Sequence, residues 1–581
     1  MASWLHKDQS AEDSHRLLPT TDGPGRLSFD GEEDDVEVQR EMSRFATSGP
    51  RRRFSRFNWL RCSGGLLVLG FFIGTVSFSR GRGGHPTPDE PKSKPDILHG
   101  LSHIEFPPSY NETFLDTVPE STPNPIESTP NPIESTFNLI DALFARQSST
   151  LQQAIARYTV RNNRPPPPNY KEWYEFAKAR ACLIDDYDQI SRDFEPFYQL
   201  AREDPMHFKK MVGLGFDKKD WIELKAGVFR DHDFWFTEDH FTFYNEEWTR
   251  TFKRFAYFMP DMDVVVNGRD EPRVVFNTRA SGAQEKAMDA KDKTPFGHSP
   301  HPTASYYKDE MKCLLPNRPK GFTGLANDAS AFMLATSSTQ FTSDLYPVLS
   351  MAKVSPCFAD IVVPSEFYYS DSQYSPKYGF SNDIPWVHKK SQLYWRGMTS
   401  GGWIYDDNYH SFPRFRLMDI ARNHTDIMDV KLSGFHEALC GEHCNATAVK
   451  AEYGIYGEHS PREDVYRFKY LFDVDGNSFS GRYHGLLKSG SLVFKSTIFT
   501  EYFSDWLKPF EHYIPVLADL SDLPERVEWA IAHDEEAEAI QKAGKEFADR
   551  VITDGQNDCY FSLVFLEWAR LMSLADVSAD D

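Results

Sequence analysis

Asp270 ends the segment V-V-V-N-G-R-D (Val264–Asp270), in which a carboxylate follows an unbroken β-branched run. A run apolar at every position is what a strand covered on both faces requires, and the C-terminal ends of such strands are where α/β proteins hold ligands. Lying before Pro272 and between Arg269 and Arg273, the same carboxylate also suits a turn cap or an ion pair. A second segment, Leu393–Gly402 (L-Y-W-R-G-M-T-S-G-G), starts like a strand and breaks into a small, glycine-rich turn carrying Arg396, Gly397 and Thr399. Such a turn lets backbone N–H groups approach an anion while a guanidinium pairs with phosphate oxygens. A third, Tyr470–Leu487 (Y-L-F-D-V-D-G-N-S-F-S-G-R-Y-H-G-L-L), carries Ser480 and Arg482; K-S-G-S-L-V-F, Glu501 and H-Y-I-P-V (His512–Val516) follow. D-V-D (Asp473–Asp475) and D-M-D (Asp261–Asp263) each set two carboxylates one residue apart, a spacing that chelates a divalent ion and that is also a common solvated turn.

The elements that must hold these residues are short β-branched runs alternating with amphipathic helical stretches from about Met262 onward. Val264–Val266, Ser491–Phe494 and Ile514–Leu517 read as covered strands, and Leu523, Val527, Ile531, Ile540 and Phe547 recur at helical spacing. That alternation predicts parallel α/β layers in two lobes. Upstream, a helical pattern at Leu151, Ile155 and Tyr158 stops before Pro165–Pro168, and aromatic-rich helical segments such as Trp173–Leu183 open the folded body. No G-x-G-x-x-G, Walker A loop, G-x-S-x-G or H-E-x-x-H occurs, which argues against dehydrogenase, nucleoside triphosphatase, serine hydrolase and zinc protease chemistry.

With 581 residues, the chain exceeds one domain. Its 64 Lys and Arg against 86 Asp and Glu give a formal charge of −22, so a phosphate-neutralising surface for nucleic acid is not expected. Residues 62–79 form an uncharged apolar stretch about 27 Å long as a helix, enough to cross a thin bilayer. Arg51, Arg52, Arg53, Arg56 and Arg61 precede it, and only Arg80 and Arg82 follow directly. The expectation is a retained type II signal anchor, with a cytoplasmic tail (1–61) and a lumenal bulk in the endoplasmic reticulum or Golgi. The D-S-H-R-L-L of Asp13–Leu18 resembles an acidic dileucine sorting signal. Residues 80–140, with the repeat E-S-T-P-N-P-I at Glu120 and Glu127, read as an extended stem. Beyond the anchor lie the N-x-Thr sequons at Asn111, Asn423 and Asn445 and six cysteines, Cys182, Cys313, Cys357, Cys440, Cys444 and Cys559. These permit up to three bridges of undetermined connectivity. Cys440, His443 and Cys444 do not complete a zinc site, and a bridge or free thiols are expected there.

The motifs closely resemble, in order, those of the fungal capsule-associated glycosyltransferase family, whose animal relatives are the Rumi-like protein O-glucosyltransferases. They are W-Y-E-F-A-K at Trp173, P-D-M-D-V-V-V-N-G-R-D ending at Asp270, Y-W-R-G at Tyr394, D-G-N-S-F-S-G-R ending at Arg482, G-S-L-V-F and H-Y-I-P-V. The match covers about Pro165 to Ala569. It implies a GT-B fold, two Rossmann-like lobes facing a cleft, here an N-terminal acceptor lobe (141–385) and a nucleotide-sugar lobe with the terminal helix (386–581). It also implies inverting transfer from a UDP-sugar, xylose or glucose, to a glycan or protein hydroxyl, without an obligatory metal. Carried over by position, Asp270 matches the catalytic base and Arg482 the diphosphate arginine, with Ser480 in the same loop. Arg396, Gly397 and Thr399 form the opposing part of the cradle, and Glu501 meets the ribose hydroxyls. The chain departs from the animal pattern at Asp473, Asp475 and Gly481, where the fungal members look like the present form. Two rivals remain: a metal-dependent D-x-D transferase, and a non-catalytic lumenal protein whose Tyr and Trp side chains stack on glycans.

Overall fold

The valine run forms the centre of a sheet. In the computed structural model, which describes residues 139–577 apart from 219–223, 238–243, 290–341, 356, 376–383, 403, 405, 441–442 and 458–459, all described residues fall in one compact unit. The apolar span at 62–79, the tail, most of the stem, Asn111 and Cys313 lie outside the described residues. Among the described residues no helix is long and apolar enough to cross a membrane.

The first sheet has the order β2-β1-β3-β4-β5, with β1 Leu224–Arg230, β2 Asp233–Phe236, β3 Met262–Asn267, β4 Leu349–Ser350 and β5 Ile361–Val362. Val264, Val265 and Val266 are buried, as their sequence predicts. The sheet is mixed, against the expectation of parallel layers alone. β3, β4 and β5 run parallel, but β1 pairs antiparallel with both β2 and β3. Asp231 and His232 join β1 to β2 and both take positive φ (51° and 64°), the two-residue turn geometry that folds a strand straight back on its neighbour.

The second sheet is wholly parallel, in the order β10-β9-β8-β6-β7, with β6 Lys390–Met398, β7 Met428–Gly434, β8 Phe468–Val474, β9 Leu492–Ser496 and β10 Ile514–Pro515. The chain starts at β6, steps outward to β7, then returns past β6 to β8 and continues through β9 and β10. Strand order therefore reverses between β6 and β8, and a crevice at the C-terminal ends of those two strands is the expected ligand site of such a sheet. Helices Pro413–Ala421, Ala446–Tyr453 and Tyr483–Lys488 supply the crossovers.

The terminal helix, Asp554–Val577, does not stay with the lobe whose chain segment it ends. Phe561, Phe565 and Trp568 are fully buried, with Phe565 4.9 Å from Phe252 between ring centres, and the Trp568 indole donates to the Asp263 carbonyl (2.8 Å) at β3. The Trp173 indole donates to the Cys559 carbonyl (3.0 Å), and Cys182 and Cys559 form a disulfide across 377 residues of sequence. Cys440 and Cys444 form the second described bridge, and Cys357 is also disulfide-bonded, to a partner outside the described residues. A bridge closing so long a loop restricts the unfolded chain strongly, so Cys559→Ser should lower stability by about 2–5 kcal/mol. Thermal unfolding of the two proteins side by side checks this, and an unchanged midpoint would contradict it.

Candidate active site

At the reversal between β6 and β8, each strand hands over to a loop of small residues. Thr399 is fully buried; its amide donates to the Gly434 carbonyl (3.2 Å) and its hydroxyl oxygen accepts from the His436 amide (2.8 Å). Gly397 lies against the Trp395 indole, which would sit 2.5 Å from an added Cβ. Gly476, two residues past β8, leaves room for Arg414, whose Nη2 would lie 3.0 Å from a Cβ there.

Arg414 and Arg482 converge on this crevice. Arg414 donates to the Met398 carbonyl (2.8 Å) and the Asp475 carbonyl (3.1 Å). Arg482 donates to the Arg396 carbonyl (2.6 Å), and its Nη2 is buried with no hydrogen-bond partner. Both guanidinium carbons lie over the Trp395 ring, at 5.6 and 5.8 Å from its centre. Burial and the neighbouring Arg482 charge push Arg414 down to about 9. The Asp475 and Asp473 charges oppose that shift, and the two guanidinium groups, held by main-chain carbonyls over one indole, can together take an anion. Around them Ser478 Oγ, Ser480 Oγ and Trp395 Nε1 are buried without a hydrogen-bond partner, as is one carboxylate oxygen each of Asp473, Asp475 and Glu501, the last lying 3.6 Å from Lys495 Nζ. Buried polar groups normally find partners, and such a concentration beside two arginines marks a place where a polar ligand supplies them.

The other predicted residues are arranged less simply. Arg396 turns its guanidinium toward β7, donating to the Asp429 carboxylate (2.6 Å), the Asp429 carbonyl (2.8 Å) and Ser460 (3.2 Å). Only its main-chain carbonyl joins the crevice. Glu501 is buried in a non-helical loop, accepts the Tyr368 hydroxyl and lies 3.6 Å from Lys495; burial pushes it up to about 7.

Asp270 occupies the C-terminal loop of β3 on the first lobe. Asn267 shapes that loop, its side-chain oxygen accepting from the Arg269 amide (3.0 Å) and Arg273 Nε (3.1 Å) and its amide donating to the Glu271 carbonyl (2.6 Å). Asp360 braces the same loop through the amides of Arg273 (2.8 Å) and Val274 (2.9 Å). Burial raises the Asp270 carboxyl above the usual range, and burial together with the Asp270 charge raises Glu271. The two carboxyls therefore titrate as a pair. Tyr244 interacts electrostatically with both, and its ring lies 4.8 Å from Tyr374 and 6.3 Å from Phe367.

Phe367 connects the two walls. Its ring would sit 2.6 Å from a Cβ at Gly481, so the absence of a side chain at 481 is what lets Phe367 pack against the loop after β8. The next residue, Tyr368, donates to the Ser480 carbonyl (3.3 Å). The loop of Ser480 and Gly481 and the ring of Tyr244, which feels the Asp270 charge, thus both border the short segment 366–374.

Residues 379–580 match glycosyl transferase family 90. The matched stretch holds β6 to β10, Arg414, Arg482, Glu501 and the terminal helix, whereas Asp270 lies upstream of it. Among curated relatives, a zebrafish (Danio rerio) protein O-glucosyltransferase 2 is 33% identical over 190 residues, 32% of this chain and 34% of that protein. Human protein O-glucosyltransferase 3 is 26% identical over 37% of this chain and 40% of that protein. Rat protein O-glucosyltransferase 1 is 28% identical over 39% and 58%. The chain spans between 34% and 58% of the length of these relatives.

The family-90 stretch contains D-V-D, yet Asp473 Oδ2 accepts from Lys495 Nζ (2.7 Å) and Asp475 Oδ2 from the Ile498 amide (2.9 Å). The other pair, Asp261 and Asp263, sits at the opposite end of β3 from Asp270, with Asp263 paired to Arg230. Among the described residues no group of three or more His, Cys, Asp or Glu is arranged to hold a metal ion. The residue that sequence reasoning missed is Arg414. A signal existed: Arg414 sits in the first turn of its helix, just after Pro413, where the helix dipole disfavours a cation unless an anion shares the site.

Proposed function

We propose that this protein is an inverting glycosyltransferase that moves a sugar, xylose or glucose, from a UDP-sugar to a hydroxyl of a glycan or protein acceptor. What carries the reading is the Arg414–Arg482 pair over Trp395 at the strand reversal, with Arg482 Nη2, Ser478 Oγ and Ser480 Oγ buried and without hydrogen-bond partners, on a stretch matching glycosyl transferase family 90. In this reading the two lobes form a GT-B-type cleft. The arginines take the UDP diphosphate, with Ser480 and the end of β6 at Gly397–Thr399 alongside, and Glu501 is assigned to the ribose. Asp270 takes the acceptor proton as the oxygen attacks the anomeric carbon on the face opposite UDP. No metal is required, because the guanidinium groups neutralise the charge that grows on the departing diphosphate. The chain acts in the secretory pathway, held by the apolar span at 62–79. A capsule or cell-wall polysaccharide is one acceptor class among those that present a hydroxyl.

The base works only when ionised, and both carboxyls of the Asp270–Glu271 pair titrate above the usual range. Activity should therefore fall as pH drops through that raised value, well before ordinary carboxylates protonate. Glu271→Gln should leave that acid limb in place, because the Asp270 charge raises Glu271 whereas Asp270 itself is raised by burial. A pH profile of UDP release from both proteins tests this; a limb moved to lower pH would show that the Glu271 charge also raises Asp270. A panel of UDP-sugars read by UDP release in EDTA tests the function itself. Turnover of one donor supports it, and turnover restored only by Mn²⁺ would favour the D-x-D mechanism.

A further inference from the structure

Away from the crevice, an open cleft of ≈ 440 Å³ runs between the outer end of helix Pro413–Ala421 and the loop Leu520–Pro524. Its volume is in the range of ligand-sized clefts, roughly 300–1,000 Å³. Ile420 and Pro524 offer apolar surface, while His424 and Ser521 offer polar atoms. Arg416 anchors the floor by donating to the Asp519 carbonyl (2.7 Å), and its Nε is buried without a partner. Asn423 stands at the rim of this cleft, in an N-H-T sequon whose Asn423 and Thr425 are both exposed in the turn before β7. The Asn423 amide makes one described hydrogen bond, to the Asp419 carbonyl (3.2 Å), for which a secondary amide still has an N–H.

We infer that Asn423 carries an N-linked glycan whose first N-acetylhexosamine lies in the cleft between this helix and the 520–524 loop. The inference rests on the secretory reading above, which the disulfides favour independently. The modification consumes a polyprenyl-diphosphate-linked oligosaccharide. The bond from the sugar C1 to the diphosphate oxygen breaks, the bond from C1 to Asn423 Nδ2 forms, and one Nδ2 proton leaves with the diphosphate. Seated in the cleft, the sugar ring lays an apolar face on Ile420 and Pro524, and its acetamido and hydroxyl oxygens meet Arg416 and His424. At the Asn445 sequon the side-chain oxygen instead accepts from the Ala448 amide (3.1 Å) as a helix cap.

The test expresses the full chain in a eukaryotic secretory host. Peptides are mapped after glycosidase release in heavy-oxygen water, which labels each formerly glycosylated position as Asp. The expected result is a label at 423, lost in Asn423→Gln, with release from the native protein accelerated several-fold in Arg416→Ala and in His424→Ala. An unlabelled 423 overturns the modification, and equal release rates in the folded variants overturn the seat. UDP-sugar turnover is measured on the same preparations and should be unchanged in Asn423→Gln. Turnover with a bare Asn423 sinks this inference alone, whereas a glycosylated but inactive protein counts only against the transferase reading.

Discussion

Asp270→Asn should abolish sugar transfer, with a loss of about 10²–10⁴ in kcat, while UDP binding stays within a few-fold of wild type. The substitution keeps the shape of the side chain and removes only its capacity to take a proton. The loop is fixed from outside that side chain, by Asn267 and by Asp360 at the Arg273 and Val274 amides, so it has no reason to move. The comparison is of steady-state UDP release against UDP affinity on the same proteins. Wild-type turnover in Asp270→Asn would assign the proton to another group, and Glu271, next in the chain and sharing the raised titration, is the first to examine.

Replacing either arginine over Trp395 should be as damaging for a different reason. Arg414→Ala or Arg482→Ala removes a donor aimed at where charge develops on the diphosphate, and such losses cost about 10²–10³ in turnover. UDP affinity should fall as well, since ground-state diphosphate uses the same groups. Arg414→Ala relieves repulsion with Arg482 but takes a counter-charge from Asp473 and Asp475 and a donor from two main-chain carbonyls, so some stability is lost as well. Thermal unfolding separates a damaged site from a damaged fold. Arg396→Ala is the contrast: its guanidinium serves Asp429 and Ser460, so loss of its side chain should weaken the β6–β7 edge more than the chemistry.

The difference between Arg396 and Arg414 marks where the sequence could and could not be read. Motif position picked out Arg396, which lies on β6, and Arg482, which lies in the loop after β8. Strand parity, which was legible, decides the rest: side chains alternate along β6, so Gly397 shares a face with Trp395 while Arg396 points the other way. Arg414 sits among buried helical neighbours, Phe415, Leu417 and Met418, and only its misfit with the helix dipole marks it. The valine strand, and with it the place of Asp270, was legible from an apolar run that no exposed strand tolerates. Less visible was anything carried by distant contacts. The return of Cys559, Phe565 and Trp568 to the first lobe depends on packing against Trp173, Phe252 and β3, which no local pattern reports. The Asp231–His232 turn was missed for the opposite reason: its residues lack the glycine that usually advertises such backbone geometry.

The central claim is that two guanidinium groups at the β6–β8 reversal hold a diphosphate without help from a metal. Calorimetric titration of UDP into the full chain in EDTA measures this directly. The account predicts one site per chain, retained in Asp270→Asn and lost or strongly weakened in Arg482→Ala and Arg414→Ala. Binding that appears only with added Mn²⁺, or that is undiminished without both arginines, would contradict it.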